Sequence, residues 1–197
     1  MSWDSGSAHR RWRAFSYPLP GYSPLLLSLG SKLSFRSGSF LTVLKTQKPG
    51  EDQEIMEEYF DIELKAYQRL NPLQGAIIPK FYGLLRYNGT RAMLREYLGG
   101  ISLSAPEGAI MTLEELSSFL QSCYRALHAL DVHQDDAHLS NFQLVDGKIK
   151  VLDLESAVFH YSADQRATFL ASSVRHLAKQ YLSMQAYYRH QGSLEAA

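Results

Sequence analysis

The sequence predicts an α+β chain in two parts, strand-rich up to residue 98 and helix-rich from residue 99. Three observations predict it. Period-two apolar runs and an Asn88-Gly89 turn fill the first part. Thr112 followed by Glu115 is a capping box that opens a helical stretch in the second. From Val132 to Ala157 a polar loop, a short hairpin and another apolar run bring carboxylates and an amide close together in sequence.

Composition bounds the function. The 197 residues suffice for one domain or one small two-lobed unit. Twelve tyrosines and nine phenylalanines favour a packed core over disorder. Lys+Arg and Asp+Glu number 20 each, so the net charge is zero and no nucleic-acid partner is expected. A lone Cys123 cannot form an internal disulfide, which points to a reducing compartment. No apolar run approaches about 18 residues, and the first residues lack an apolar signal core. The expectation is a soluble, cytoplasmic protein with no membrane partner.

Taken in order, residues 1–23 read as a tail, with one basic spot from Arg10 to Arg13. The leucine-rich run at 24–29 is a strand candidate broken at Gly30. The run G-S-F-L-T-V-L-K-T-Q is a second, on which Lys45 shares a face with Leu41 and Val43. K-P-G-E-D at 48–52 is a turn. Gln53 to Leu70 is helical, with Ile55, Tyr59, Ile62, Ala66 and Leu70 as the expected apolar stripe. Asn71-Pro72 ends that helix. Two apolar runs flanking Asn88-Gly89 form a hairpin. Gly99-Gly100 then separates a small lobe, 24–98, from a compact large lobe, 99–197. In the large lobe, helices are expected from Thr112 to about Leu130 and from about Ser162 to Tyr188. The last residues, Q-G-S-L-E-A-A, look frayed.

The chemistry concentrates at Asp136, Asn141 and Asp153. Asp136 and Asn141 lie five residues apart in a polar loop, and Asp153 follows the run I-K-V-L. One carboxylate can accept a hydroxyl proton while an amide oxygen and a second carboxylate hold Mg²⁺ against nucleotide phosphates. Singly, each residue has a plain alternative. A strand lysine is usually solvated, a helix glutamate usually faces water, and loop Asp and Asn usually make turns. Their order carries the argument: strand Lys45, helix Glu63, a hairpin, a helix, then the loop.

The segments I-E-L-K-A-Y-Q-R-L, I-I-P-K-F-Y-G, L-R-E-Y-L-G-G-I-S-L and H-Q-D-D-A-H-L-S-N-F resemble the protein-kinase-like superfamily over roughly residues 40–160. Within it they look like small kinase-like proteins of filamentous fungi, related to aminoglycoside and choline phosphotransferases. The resemblance implies a two-lobed kinase-like fold with reduced N-terminal strands and a truncated C-terminal lobe. It implies that Lys45 binds the ATP phosphates and that Glu63 pairs with Lys45. It makes Asp136 the catalytic carboxylate and makes Asn141 and Asp153 the Mg²⁺ ligands. The backbone of Glu96, Tyr97 and Leu98 would meet the adenine. The phosphoacceptor would be a hydroxyl on a protein or a small molecule.

Some positions depart from the pattern. Counting from His133 favours Asp135 as the catalytic carboxylate, whereas the spacing to Asn141 favours Asp136. Gln134 stands where the usual histidine would precede the catalytic Asp. The metal segment reads D-L-E rather than D-F-G, and Glu155 is a candidate further ligand. No glycine-rich G-x-G-x-x-G precedes Lys45, and S-G-S at 37–39 is the nearest substitute. Fifteen positions between Gly30 and Lys45 are tight for two full strands and a turn. These departures keep a second reading open, a pseudokinase acting as a nucleotide-binding or protein-interaction module. His128, His133 and His138 recur every five residues and read as loop or core packing rather than a zinc site, with His138 beside the catalytic carboxylate. Cys123 reads as a core residue.

Overall fold

The computed structural model of the chain describes residues 27–29, 32–37, 40–46, 53–87 and 89–192. Residues 1–23, Gly30, the Gly38-Ser39 part of S-G-S, the turn at 48–52, Asn88 and residues 193–197 lie outside the described residues. The described residues fall into two compact units. One comprises 27–46 and 81–97, the other 53–80 and 98–192.

The first unit is a five-stranded antiparallel sheet. Its strands are β1 (Leu27–Leu29), β2 (Lys32–Ser37), β3 (Phe40–Thr46), β4 (Phe81–Tyr87) and β5 (Thr90–Glu96), in the order β1-β2-β3-β5-β4. The sequence reading had room for only one strand before β3. Both β2, of six residues, and β3, of seven, fit between Gly30 and the end of β3. On β3, Leu44 is buried and Lys45 is half-buried opposite Met93 of β5. The β4–β5 pairing runs back from Tyr87↔Thr90, with Gly89 at φ +80°, a backbone region a glycine enters without cost.

The second unit begins with α1 (Gln53–Arg69). Its buried face is Phe60, Glu63, Ala66 and Tyr67, whereas Ile55 is 45% and Tyr59 38% exposed. The predicted stripe is therefore out of phase at its N-terminal end. Phe60, Glu63 and Tyr67 take inward positions beside Ala66 and Leu70, which are buried as predicted. Asn71-Pro72 closes the helix in a single 3₁₀ turn as expected.

Three short strands follow as an antiparallel sheet: β6 (Ile101–Ser102) with β8 (Phe142–Val145) and β9 (Lys148–Val151). The β8–β9 hairpin turns at Asp146-Gly147, with φ +48° and +72°, the pair of positive angles a two-residue hairpin requires. A second small pairing joins β7 (Val132–Gln134) to β10 (Ala157–Phe159). The helices α2 (Leu113–Ala129) and α3 (Ala163–His190) pack on each other and complete the unit. The Thr112 capping box forms as predicted. The Thr112 hydroxyl accepts from Glu115 N, and the Glu115 carboxylate accepts from Thr112 N.

Leu116, Leu120, Tyr124, Leu127, Phe142, Leu154, Leu177 and Tyr181 are almost wholly buried and form the core. Each contributes about 1.5–3 kcal/mol relative to exposure. Polar bonds fix α3 against the segment before α2. The Tyr181 hydroxyl accepts from Met111 N and donates to Gly108 O, both at 2.9 Å. Gln185 Nε2 donates to Ala109 O and Met111 O, and Tyr188 Oη donates to Ser104 O at 2.7 Å. Small antiparallel sheets with three helices make the α+β, reduced kinase-like fold that the sequence predicts.

Candidate active site

The polar loop is anchored before it begins. Asp131, at φ +58°, ends the turn after α2. Its carboxylate accepts from Arg69 at 2.9 Å and Arg166 at 3.1 Å and lies 3.2 Å from His160 Nδ1. Desolvation works against its charge, but the Arg69 hydrogen bond, backed by His160, outweighs it and holds the carboxyl below its ordinary range. One residue thus joins the end of α1, the start of α3 and the turn into β7.

β7 then carries Gln134 into the interior, where it is fully buried. Its Oε1 accepts from the Tyr124 hydroxyl at 3.2 Å. Its Nε2 donates to Asp136 O at 2.7 Å and to Asp153 O at 3.3 Å. The side chain bridges the polar loop and the strand end that bears the second carboxylate. Read from the sequence, Gln134 was a departure from the usual histidine; in the fold it is a brace. The missed signal was that Val132, His133 and Gln134 are all buried on a strand of three residues.

Asp136 and Asn141 come together as their spacing predicts. Asn141 is buried in the 3₁₀ turn Leu139–Asn141. Its Nδ2 donates to Asp136 O and Oδ2, both at 3.0 Å. That use of the amide nitrogen leaves Oδ1 as the side chain's acceptor or ligand atom. Leu152 N donates to Asn141 O, which ties the turn to the residue before Asp153. Asp135 instead points to His133, 3.8 Å away, and its side chain is 57% exposed. The geometry thus separates the two neighbouring aspartates.

Asp153 is buried, and its Oδ1 accepts from Glu155 N at 3.2 Å. Glu63, Asp153 and Glu155 each bring a carboxylate oxygen within 4.8 Å of the others. Three carboxylates at this separation form a hard-oxygen donor set that suits a divalent cation such as Mg²⁺. Glu63 reaches it from α1 and Glu155 from the D-L-E segment. The remaining predicted residues divide between the two units. Lys45 and the end of β5, Glu96 and Tyr97, belong to the first unit, and Leu98 belongs to the second.

The loop is also held from below. Gln180 of α3 donates through Nε2 to Ala137 O at 3.1 Å, and its Oε1 accepts from Leu139 N at 3.4 Å. Its position, three residues after Leu177 on the buried side of α3, is the only sequence trace of this contact. His133 Nδ1 and His128 Nε2 are hydrogen-bonded at 2.8 Å, and Tyr124 and Phe169 pack against His133. Burial depresses the pKa of both imidazoles, His128 to about 4. These two histidines pack as expected, and His138 caps the 3₁₀ turn by accepting from Ser140 N. Cys123 is buried, donates to Ile149 O, and has its thiol pKa pushed up to about 11 by desolvation.

Comparison with protein families matches residues 58–188 to the lipopolysaccharide core biosynthesis protein (WaaY) family. The chain belongs to that family. WaaY proteins are kinase-like phosphotransferases, so the kinase-like superfamily read from the loop and hinge is borne out. The finer likeness to small fungal kinase-like proteins is not carried by this match. The matched span holds Glu63, Glu96–Leu98, Asp136, Asn141 and Asp153, and it begins after Lys45. No curated protein matches the chain. No described helix is long and apolar enough to cross a membrane.

Proposed function

We propose that this WaaY-family chain is an ATP- and Mg²⁺-dependent phosphotransferase that moves the γ-phosphoryl group to a hydroxyl of a sugar or other small molecule. The observation that carries the reading is the braced loop. Asn141 holds the Asp136 carboxylate, and Gln134 joins that loop to Asp153, which sits in a hard-oxygen cluster. When bound, ATP supplies the phosphoryl group and Mg²⁺ offsets the phosphate charge. Asp136 orients the acceptor hydroxyl and takes its proton as the new P–O bond forms and the γ-phosphorus bond to the β-phosphate oxygen breaks, releasing ADP. Asn141 Oδ1 and Asp153 are the proposed metal ligands, with Glu155 as a further one. Lys45 is the proposed phosphate ligand on β3, and the backbone of Glu96, Tyr97 and Leu98 is the proposed adenine edge.

The test is a thermal-shift titration with ATP, with and without Mg²⁺, on the wild type and Asp153→Asn, followed by phosphate transfer from labelled ATP. Binding at a hundred times Kd adds about 2.7 kcal/mol to stability. A Mg²⁺-dependent shift that Asp153→Asn removes supports the reading. A Mg²⁺-independent shift without transfer supports the pseudokinase alternative instead. No shift at saturating ATP sinks both.

A further inference from the structure

The polar loop hangs on one amide whose orientation is dictated by its neighbours. Leu139 N–H can only donate, so it faces Gln180 Oε1, at 3.4 Å. Ala137 O can only accept, so it faces Gln180 Nε2, at 3.1 Å. Both contacts fail if the amide turns over. Nε2 carries a second hydrogen, and His176 Nε2 lies 2.6 Å from it, one turn earlier on α3.

That third contact fixes the imidazole. With the amide nitrogen donating, His176 Nε2 accepts, which places the ring proton on Nδ1 and leaves the ring neutral. A charged imidazole carries a proton on both nitrogens, so Nε2 would set a donor against a donor. Turning the amide over would offer its oxygen to the ring. It would also set that oxygen against Ala137 O and the NH₂ group against Leu139 N–H. The three contacts cannot all persist beside a charged ring. His176 is exposed, so protons reach it freely. The cleft it lines carries His138 from the loop, Lys179 and Tyr187 from α3, and Ser104 from the segment before α2. No Asp or Glu lines that cleft to pair with a charged ring.

The clamp acts on the residues that set the candidate site. Ala137 and Leu139 flank His138, whose N–H donates to Asp136 O at 2.8 Å and whose carbonyl accepts from Asn141 N at 2.9 Å. Slack at Gln180 therefore reaches both Asp136 and Asn141. We infer that His176 is a positioning residue for this loop, acting through Gln180, and that adding a proton to its ring releases the loop. The consequence for turnover rests on the phosphotransferase reading; the consequence for loop geometry does not.

The test is an NMR titration of the intact chain from about pH 8 to about pH 5.5, the range in which imidazoles ordinarily change charge. It follows the His176 ring protons, the Gln180 side-chain amide and the backbone amides of Ala137 to Asn141. Wild type is compared with His176→Gln, whose amide oxygen can accept at about the reach of Nε2 but does not titrate. The side chain is exposed, so the variant keeps the fold. His138 is present in both proteins and cancels in the comparison. Release of ADP and phosphate from Mg²⁺–ATP, with water as the acceptor, is measured over the same range. The expected result is that the wild-type loop amides move in step with the His176 ring, whereas those of His176→Gln hold their high-pH positions. On acidification, kcat should fall roughly tenfold further in the wild type than in the variant, with KM for ATP unchanged. Loop amides that stay still while the ring titrates, or that move equally in His176→Gln, overturn the clamp. Moving amides with identical pH profiles of ADP release overturn its link to turnover. Absence of ADP release from the wild type at every pH is the separate failure of the phosphotransferase reading, and the loop amides still decide the clamp.

Discussion

Gln134→Leu removes the brace between the loop and the second carboxylate while keeping most of the side chain's volume. Three hydrogen bonds go: from the Tyr124 hydroxyl, to Asp136 O and to Asp153 O. The damage is limited by what stays. Asp136 O keeps its bonds from His138 N and Asn141 Nδ2, and the Tyr124 hydroxyl has Ser173 as another partner. At about 1 kcal/mol net per bond, the loss is about 3 kcal/mol, a fall of roughly 6–12 °C in Tm for a chain of this size. The effect on rate should exceed the effect on folding, because the carboxylate that takes the proton loses its register against Asp153. A drop of about 100-fold in kcat is expected from displacements near 1 Å. The assay is phosphate transfer well below the variant's Tm, with calorimetry alongside. Gln134→His restores a ring N–H donor and should recover part of the rate. Wild-type Tm and wild-type rate in Gln134→Leu would refute the brace.

Other perturbations have definite signs. Asp136→Asn should abolish transfer while the Mg²⁺–ATP thermal shift persists, since the carboxylate is assigned to the proton and not to the nucleotide; loss of both would reassign it. Stability should depend on the paired histidines. Burial depresses both pKa values, so both imidazoles are neutral in the folded state, and stability is full above the unfolded value near about 6.5. It falls as pH drops toward 4 and His128 becomes protonated; discounted for the half-exposure of that ring, the loss is about 1–2 kcal/mol. Urea melts from pH 8 to 4.5 check this, and His128→Gln should flatten the slope. Asp131→Ala should lower Tm and raise hydrogen exchange in β7 and at the start of α3, because Arg69, Arg166 and His160 lose their common partner. Gly108→Ala places a Cβ 2.1 Å from Ser102 O, a clash with backbone that should cost about 3 kcal/mol in a denaturant titration.

Local signals transferred well from sequence to fold. The Thr112 capping box, the Asn71-Pro72 stop, the Asp146-Gly147 turn and the five-residue step from Asp136 to Asn141 act over a few residues, so their chemistry is written where it operates. What stayed hidden depends on partners far along the chain. Gln134 touches Tyr124 and Asp153, Asp131 gathers Arg69 and Arg166, and Gln180 reaches back to Ala137. No spacing encodes these. The phase of α1 misled for a related reason. Several of its turns are apolar or aromatic on more than one side, and tertiary packing chose Phe60 and Tyr67 over Ile55 and Tyr59. The strand β2, K-L-S-F-R-S, is hard to read from sequence because its alternation rests on only Leu33 and Phe35.

The 28 residues of α3 hold the loop at one angular setting. Arg166 is tied to Asp131, Gln180 to the loop carbonyl at Ala137, and Tyr181, Gln185 and Tyr188 to the segment before α2. Inserting one residue between Ala171 and Lys179 would turn everything downstream by about 100° and shift it by about 1.5 Å. The four later ties would then face away from their partners while Arg166 kept its own. The aim of the Asp136 carboxylate is therefore a matter of helical timing. Drift in sequence along α3 is tolerable, but drift in its length between residues 166 and 180 is not.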